Sequence, residues 1–161
     1  MMLVGVAAVV LALDQLTKEL ALRYLPSVQP WNPIPALRPV VTLSVVTNTG
    51  AAFGLFPGGS ALFMIVAVAI IAAILIFQRH VPANQGLVRA ALALQLGGAT
   101  GNLIDRLRHG HVIDWIDFHF WPVFNVADSA VVIGVVILAY YLLFKADDEW
   151  IQAKQLEPEN N

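Results

Sequence analysis

Ser60-Ala61-Leu62-Phe63-Met64-Ile65-Val66-Ala67-Val68-Ala69-Ile70-Ile71-Ala72-Ala73-Ile74-Leu75-Ile76-Phe77-Gln78 contains no charged residue. A helix needs roughly 20 mostly apolar residues to cross the hydrocarbon of a bilayer, so this stretch reads as a membrane span. The chain around it has the same character. Of its 161 residues 58% are hydrophobic and only 12% are charged, and its mean hydropathy is +0.73. A soluble domain has about 45–50% apolar and about 25% charged residues, so this chain has too little charge to cover a soluble surface. Disorder is excluded by the same figures, because it requires low hydrophobicity and high charge. A net charge of −2 gives no reason to expect a nucleic-acid partner, and the absence of cysteine removes disulfides, thiolate chemistry and Cys-based zinc sites.

Working outward, three further stretches are long and apolar enough to span. They run from about Met2 to Tyr24, from about Leu87 to Arg106 and from about Val126 to Phe144. The expected fold is therefore an all-α integral membrane protein of four transmembrane helices. Five of the eleven acids lie in the last fifteen residues, which divides the chain into a membrane domain, 1–146, and a polar acidic tail, 147–161. The first span is not read as a cleaved signal peptide. It lacks a basic leading region, and Asp14-Gln15-Leu16-Thr17-Lys18 stands where a small-residue cleavage site belongs. Val40 to Thr47 is rich in β-branched residues and is followed by Asn48-Thr49-Gly50. That pattern predicts a strand and turn at the membrane surface rather than a fifth helix. The preceding loop, Pro26 to Pro39, carries five prolines and is expected to be non-helical.

Four spans bring both ends of the membrane domain to one side. The long connections, about Leu25–Gly59 and about Leu107–Asn125, then share the opposite side. Most of the unusual polar residues fall toward that side: Asp14, Lys18, Asn48, Asn102, Asp105, Arg106, Asp114, Asn125 and Asp128. Charge bias does not say which side it is. Arg79, Arg89, Lys145 and Lys154 lie on one side and Lys18, Arg23, Arg38, Arg106 and Arg108 on the other.

An ionisable residue in a membrane helix costs about 2.5–3.5 kcal/mol on insertion scales and persists when paired or functional. Asp14 and Lys18 are four apart on one helical face, which predicts an intrahelical ion pair and a structural role. Asp105-Arg106 reads as an ion pair or a snorkelling arginine at the end of the third span. Gly97 and Gly101 have the GxxxG spacing of close helix packing. Asp114 and Asp128 have no lysine or arginine between Arg108 and Lys145. Two readings stay open for them. Asp128 suits a helix cap, whereas two carboxylates brought together would share a proton and supply an acid and a base. His109, His111 and His119 flank Asp114 and Asp117, but His109-Gly110-His111 is not a helical ligand pair, and no metal site is expected.

The residues resemble those of the lipoprotein signal peptidases, the type II signal peptidases of bacteria. The resemblance runs from Leu13-Asp14-Gln15-Leu16-Thr17-Lys18 through Asn48-Thr49-Gly50-Ala51-Ala52-Phe53-Gly54, Gly97-Gly98-Ala99-Thr100-Gly101-Asn102-Leu103-Ile104-Asp105-Arg106 and Gly110-His111-Val112-Ile113-Asp114 to Phe124-Asn125-Val126-Ala127-Asp128-Ser129. It implies a cofactor-free, intramembrane aspartyl endopeptidase of the bacterial inner membrane that cuts diacylglyceryl-modified prolipoproteins before the lipidated cysteine. It implies that Asp114 and Asp128 are catalytic. Asp14, Lys18, Asn48, Gly50, Gly98, Asn102, Asp105, Arg106, Asn125 and Ala127 would then bind substrate or support the site. It also implies cytoplasmic termini, an active site at the outer leaflet and an extracytoplasmic platform built from Val40–Thr47 and Asp114–Phe124. Membrane lipid and the lipidated substrate are the expected partners, and the chain is expected to act as a monomer. Two features depart from the family pattern: Trp115 stands where a phenylalanine commonly follows the aspartate, and the Asp114–Phe124 loop is short. Two other classes compete with this reading. A proton-coupled carrier would spread its acids through the bilayer, and a lipid-binding assembly subunit would tolerate Asp-to-Asn changes at Asp114 and Asp128.

Overall fold

The computed structural model describes residues 2–26, 30–50 and 59–145. The Ala51-Ala52-Phe53-Gly54 motif and the acidic tail lie outside the described residues. Four long α-helices are present among those described: α1 (Met2–Tyr24), α2 (Ser60–Phe77), α3 (Gly86–His109) and α4 (Val126–Phe144). The expected spans thus agree with helices to within a few residues. Two strands, β1 (Thr42–Asn48) and β2 (Val112–Asp117), pair antiparallel. The fold class is therefore mostly helical with a small sheet.

Helix α3 is the centre of the bundle, packed against α1, α2 and α4. Its small residues make that possible. A Cβ on Gly97 would lie 2.7 Å from the Ala7 carbonyl oxygen of α1, and one on Gly98 would lie 2.4 Å from the Ala127 carbonyl oxygen of α4. One on Gly101 would strike the Asp14 carboxylate at 2.5 Å. The adjacent glycines thus serve opposite neighbours, and Gly101 makes room for a charged side chain.

Polarity is inverted relative to a soluble protein. Asp14, Lys18, Asp105, Asp114 and Asn125 are buried, while Leu62, Ile65, Ile76, Val136, Leu142 and Leu143 are exposed. Contiguous apolar surface of this extent marks contact with something other than water. Helices α2 and α4 are long and apolar enough to cross a membrane. Helices α1 and α3 carry more ionisable groups; on α1, Asp14 and Lys18 are turned inward, and Glu19 and Arg23 form an exposed pair.

Two sequence expectations are corrected here. Pro35–Leu37 forms one 3-10 turn inside the proline-rich loop. Proline at the first helical position loses no hydrogen bond that the turn requires, so a single turn survives where a longer helix would not. Residues Val112–Asp117, read as loop, form β2. A strand partner distant in sequence, β1, supplies its ladder.

Candidate active site

The connection from α3 to β2 is fixed by Gly110. It lies in the left-handed region at φ 78°, and its N–H bonds the Arg106 carbonyl to close the helix. Such a cap favours glycine because a Cβ would be strained there. The chain then enters β2 and reaches Asp114 four residues later. On β1, Val46 lies opposite Asp114 and Asn48 opposite Val112. Residues two apart share a face, so Asn48 sits diagonally across from Asp114, and its Nδ2 donates to Asp114 Oδ2 at 3.0 Å.

Beyond β2 the short loop turns at His119, whose φ is 58° and whose N–H donates to Asp117 Oδ1 at 2.7 Å. Ile116 and Phe124 exchange backbone hydrogen bonds at 2.9 and 3.0 Å. That pairing returns the chain to Asn125, beside the strand it left. The shortness of the loop therefore tightens the link between Asp114 and the start of α4.

Asn125 caps α4. Its Oδ1 accepts from Asp128 N–H at 2.8 Å, and Asp128 Oδ2 accepts from Asn125 N–H at 3.3 Å, a reciprocal capping box. Asp128 is thus a cap residue through one oxygen only. Its other oxygen, Oδ1, accepts from Asn102 Nδ2 at 2.7 Å. Asn125 Nδ2 reaches across to Asp114 Oδ1 at 2.7 Å. Three asparagines from three elements therefore hold the two carboxyl groups, and every carboxyl oxygen of the pair has an amide donor. Burial, and after it the proximity of Asp128, pushes the Asp114 carboxyl up to about 6; the Asn48 and Asn125 hydrogen bonds and the Lys18 charge oppose that rise.

Lys18 is the hub beneath the pair. Its Nζ lies 2.9 Å from Asp14 Oδ2 and 2.7 Å from Asp105 Oδ2, and it donates to Asn102 Oδ1 at 3.0 Å. Three acceptors satisfy the three protons of the ammonium group. Each acid then ties down another element. Asp14 Oδ1 accepts the Ala127 N–H of α4 at 2.9 Å, and Asp105 Oδ2 accepts the Ile113 N–H of β2 at 3.1 Å. The expected Asp14–Lys18 pair is present but is one part of a larger cluster.

Asp105 and Arg106 do not pair with each other, which removes the ion-pair alternative of the sequence reading. Adjacent helical residues point about 100° apart. Asp105 faces Lys18, whereas Arg106 faces away, over the Phe63 ring at 5.4 Å and within 3.3 Å of the Gly50 carbonyl oxygen. Asp114 and Asp128 have no cation near them in sequence, but Asp128 has two near it in space. Lys18 reaches Asp128 through one asparagine, and Arg106 shares a cavity wall with Asp128.

That cavity has a volume of about 480 Å³ and runs between α2, α3 and α4. Asn48, Gly50, Asn102, Arg106 and Asp128 line its polar end, and Val66, Ile70, Val131 and Val135 are among its apolar walls. The three histidines do not converge. His119 bonds Thr42 at 3.0 Å and the Pro39 carbonyl at 3.2 Å, while the His109 and His111 rings are 6.0 Å apart. Among the described residues no group of three or more His, Cys, Asp or Glu is arranged to hold a metal.

One participant was missed in the sequence. Gln15 donates to Asp105 Oδ1 at 3.0 Å and to Asp14 Oδ2 at 3.2 Å, bridging the two acids. Its position next to Asp14 on an apolar helix was the available signal.

A family model described as signal peptidase (SPase) II matches residues 6–144. The chain belongs to the signal peptidase II family. A lipoprotein signal peptidase of Moorella thermoacetica is 45% identical over 89% of this chain and 93% of its own length. One of Caldanaerobacter subterraneus subsp. tengcongensis is 44% identical over 89% and 97%. Two solved bacterial membrane enzyme structures superpose with TM-scores of 0.81 and 0.79, each at 30% identity; they cover 88% and 90% of this chain and 87% and 94% of theirs. Signal peptidase II enzymes are aspartic peptidases of the membrane, and membership makes this chain a peptidase that removes the signal peptide from prolipoproteins. The carrier reading finds no support.

Proposed function

We propose that Asp114 and Asp128 form the catalytic pair and that the bond cut precedes a diacylglyceryl-modified cysteine. The observation that carries this reading is the joint holding of the two carboxyl groups, one on β2 and one on α4, by Asn48, Asn102 and Asn125, with Asp128 lining the polar end of an apolar cavity and Asp114 buried behind it. A carboxyl held near 6 beside a second carboxyl suits a pair that shares one proton. The ionised member takes a proton from water. The hydroxide so formed attacks the carbonyl carbon of the residue before the cysteine, and the protonated member donates a hydrogen bond to the carbonyl oxygen. The intermediate collapses as a proton passes to the leaving cysteine nitrogen. The pair supplies both base and acid, so the mechanism calls on no cofactor.

The remaining site residues then have positioning roles. Lys18, Asp14, Gln15 and Asp105 lock α1, α3, β2 and α4 together; Gly98, Gly101 and Ala127 allow the close approach; Arg106 and Gly50 border the substrate space. The acyl chains and the apolar signal segment occupy the apolar part of the cavity, and the β1–β2 platform holds the extended backbone near the cut.

All four helices span the inner membrane in this reading, with termini in the cytoplasm, the pair at the outer leaflet and the monomer as the working unit. The outward apolar surface and the inward placement of the α1 and α3 charges support it. Purified protein in detergent should cut a lipidated prolipoprotein peptide at one bond, found by mass spectrometry directly before the lipidated cysteine. A cut elsewhere, or equal cutting of the unlipidated peptide, would reject the proposed specificity. A reporter fused after Asn161 that was active only outside the cytoplasm would reject the orientation.

A further inference from the structure

Gln95 is a polar residue in the interior of α3 that neither the catalytic pair nor the Lys18 cluster uses. It lines the same cavity as Asn102, Arg106 and Asp128. Residues 95, 99, 102 and 106 follow the 3.6-residue period, so one stripe of α3 faces this space. Gln95 lies seven residues before Asn102, about 10 Å along the helix axis, where the wall is otherwise built by residues such as Val66, Ile70, Val131 and Val135. Its stem is held by α4: a Cβ on Gly134 would meet Gln95 Cγ at 2.8 Å. Its Nε2 is buried and has no hydrogen-bond partner among the described residues.

A buried amide donor left unpaired costs on the order of 1–3 kcal/mol, and the cost is not relieved by hydrocarbon. Nothing in the packing of α3 requires an amide here, since the neighbouring wall is aliphatic. We propose that Gln95 binds substrate, its carboxamide donating to a carbonyl oxygen of the chain or lipid that fills the cavity. The torsion at the end of a glutamine side chain is broad, so a small rotation presents the N–H to the cavity while the stem stays packed. The inference rests on the prolipoprotein reading. That substrate carries two sources of carbonyl within reach of the site: peptide carbonyls of the signal segment, freed where its helix unwinds, and ester carbonyls of the diacylglyceryl group. Gln95 would recognise the one that lies about two helical turns below the scissile bond.

Two substitutions test this, Gln95→Met, which nearly keeps the volume, and Gln95→Leu. Each purified variant is measured for kcat and KM on an ester-linked lipidated peptide, with a melting curve in the same detergent. Removal of one neutral hydrogen bond should raise KM roughly three- to tenfold with kcat close to wild type. The melting temperature should stay level or rise, because the unpaired donor is gone. A second substrate with ether-linked chains separates the sources. A KM difference that vanishes with the ether substrate assigns the ester carbonyl, and one that persists assigns a peptide carbonyl. Wild-type turnover with unchanged KM in both variants overturns the inference alone. Lower melting temperatures with a matching loss of kcat overturn it in favour of a packing role. Absence of turnover by the wild type on any lipidated peptide overturns the prolipoprotein reading and this inference with it.

Discussion

Replacing Lys18 with methionine keeps most of the side-chain volume and removes the charge at the hub of the bundle. The structure sets the scale of the damage. Lys18 is 2% exposed, and its two partner acids, Asp14 and Asp105, are 0% and 2% exposed. Without the ammonium group two buried carboxylates face each other with no cation between them. Breaking a buried pair by deleting one partner costs about 3–5 kcal/mol, because an uncompensated charge remains; here two remain. Asn102 Oδ1 also loses one of its two donors, keeping only Asn125 Nδ2 at 3.1 Å. Asp14→Asn should be milder. It leaves Lys18 and Asp105 as a one-to-one pair, and the asparagine oxygen can still accept the Ala127 N–H. We expect Lys18→Met to lower the melting midpoint by about 10 °C or more on ordinary size scaling, and Asp14→Asn to lower it by less than half as much. Lys18→Met with Asp14→Asn should recover part of the loss, since one buried charge fewer is unpaired. Tryptophan fluorescence during heating in detergent reads all three. A Lys18→Met variant that melts with the wild type, or an Asp14→Asn variant that is the less stable of the two, would refute the hub.

Three further outcomes follow from the same geometry. Asp114 has a folded-state pKa raised to about 6 from 3.8, so the folded state holds its proton more tightly than the unfolded state; its burial favours folding below about 4 and that advantage is lost as pH rises through 6. Stability measured between pH 4 and 7 should therefore fall less steeply in Asp114→Asn than in wild type, and equal slopes would contradict the shift. Gly98→Ala should destabilise severely, because its methyl would sit 2.4 Å from the Ala127 carbonyl oxygen, whereas Gly86→Ala, with nothing within 4 Å, should melt within about 2 °C of wild type; an intact Gly98→Ala protein would refute the close α3–α4 contact. Turnover should be unchanged in a strong chelator, and a loss restored by zinc would promote His109, His111 and His119.

The helices were legible because each carries an apolar run long enough to stand out. Asn125 before Val126 marks the start of α4, whereas the end of α3 was placed at about Arg106, three residues short of the Gly110 cap. The convergence of Asp114 and Asp128 was legible from counting spans, and Asp14 with Lys18 from their spacing. Strand β2 was missed, although Val112 to Ile116 carries strand-forming residues after a glycine, because its partner β1 lies over sixty residues away. Pairing across space is also what the Asp105-Arg106 reading lacked. Nothing local says that Asp105 turns to Lys18, that Arg106 turns to Phe63, or that Asn102 links Lys18 to Asp128. Gln15 was passed over for the same reason, since its partners Asp105 and Gly101 lie on another helix.

The central claim is that Asp114 and Asp128 work as one unit, and a double-mutant cycle on turnover tests it most directly. Asp114→Asn, Asp128→Asn and the double variant are compared with wild type on a lipidated peptide, each with a melting curve. An asparagine at 114 keeps one acceptor for Asn48 or Asn125 and turns its own amide toward the other, so a lost hydrogen bond is offset by the removal of a buried charge and folding should survive. Each single change should then remove most activity, and the double change should cost little more than either, the non-additivity of residues that share a step. The wild-type pH profile should be bell-shaped, and both apparent values should belong to the pair. Substantial turnover by either well-folded single variant, or losses that simply multiply in the double variant, would contradict the shared-proton pair.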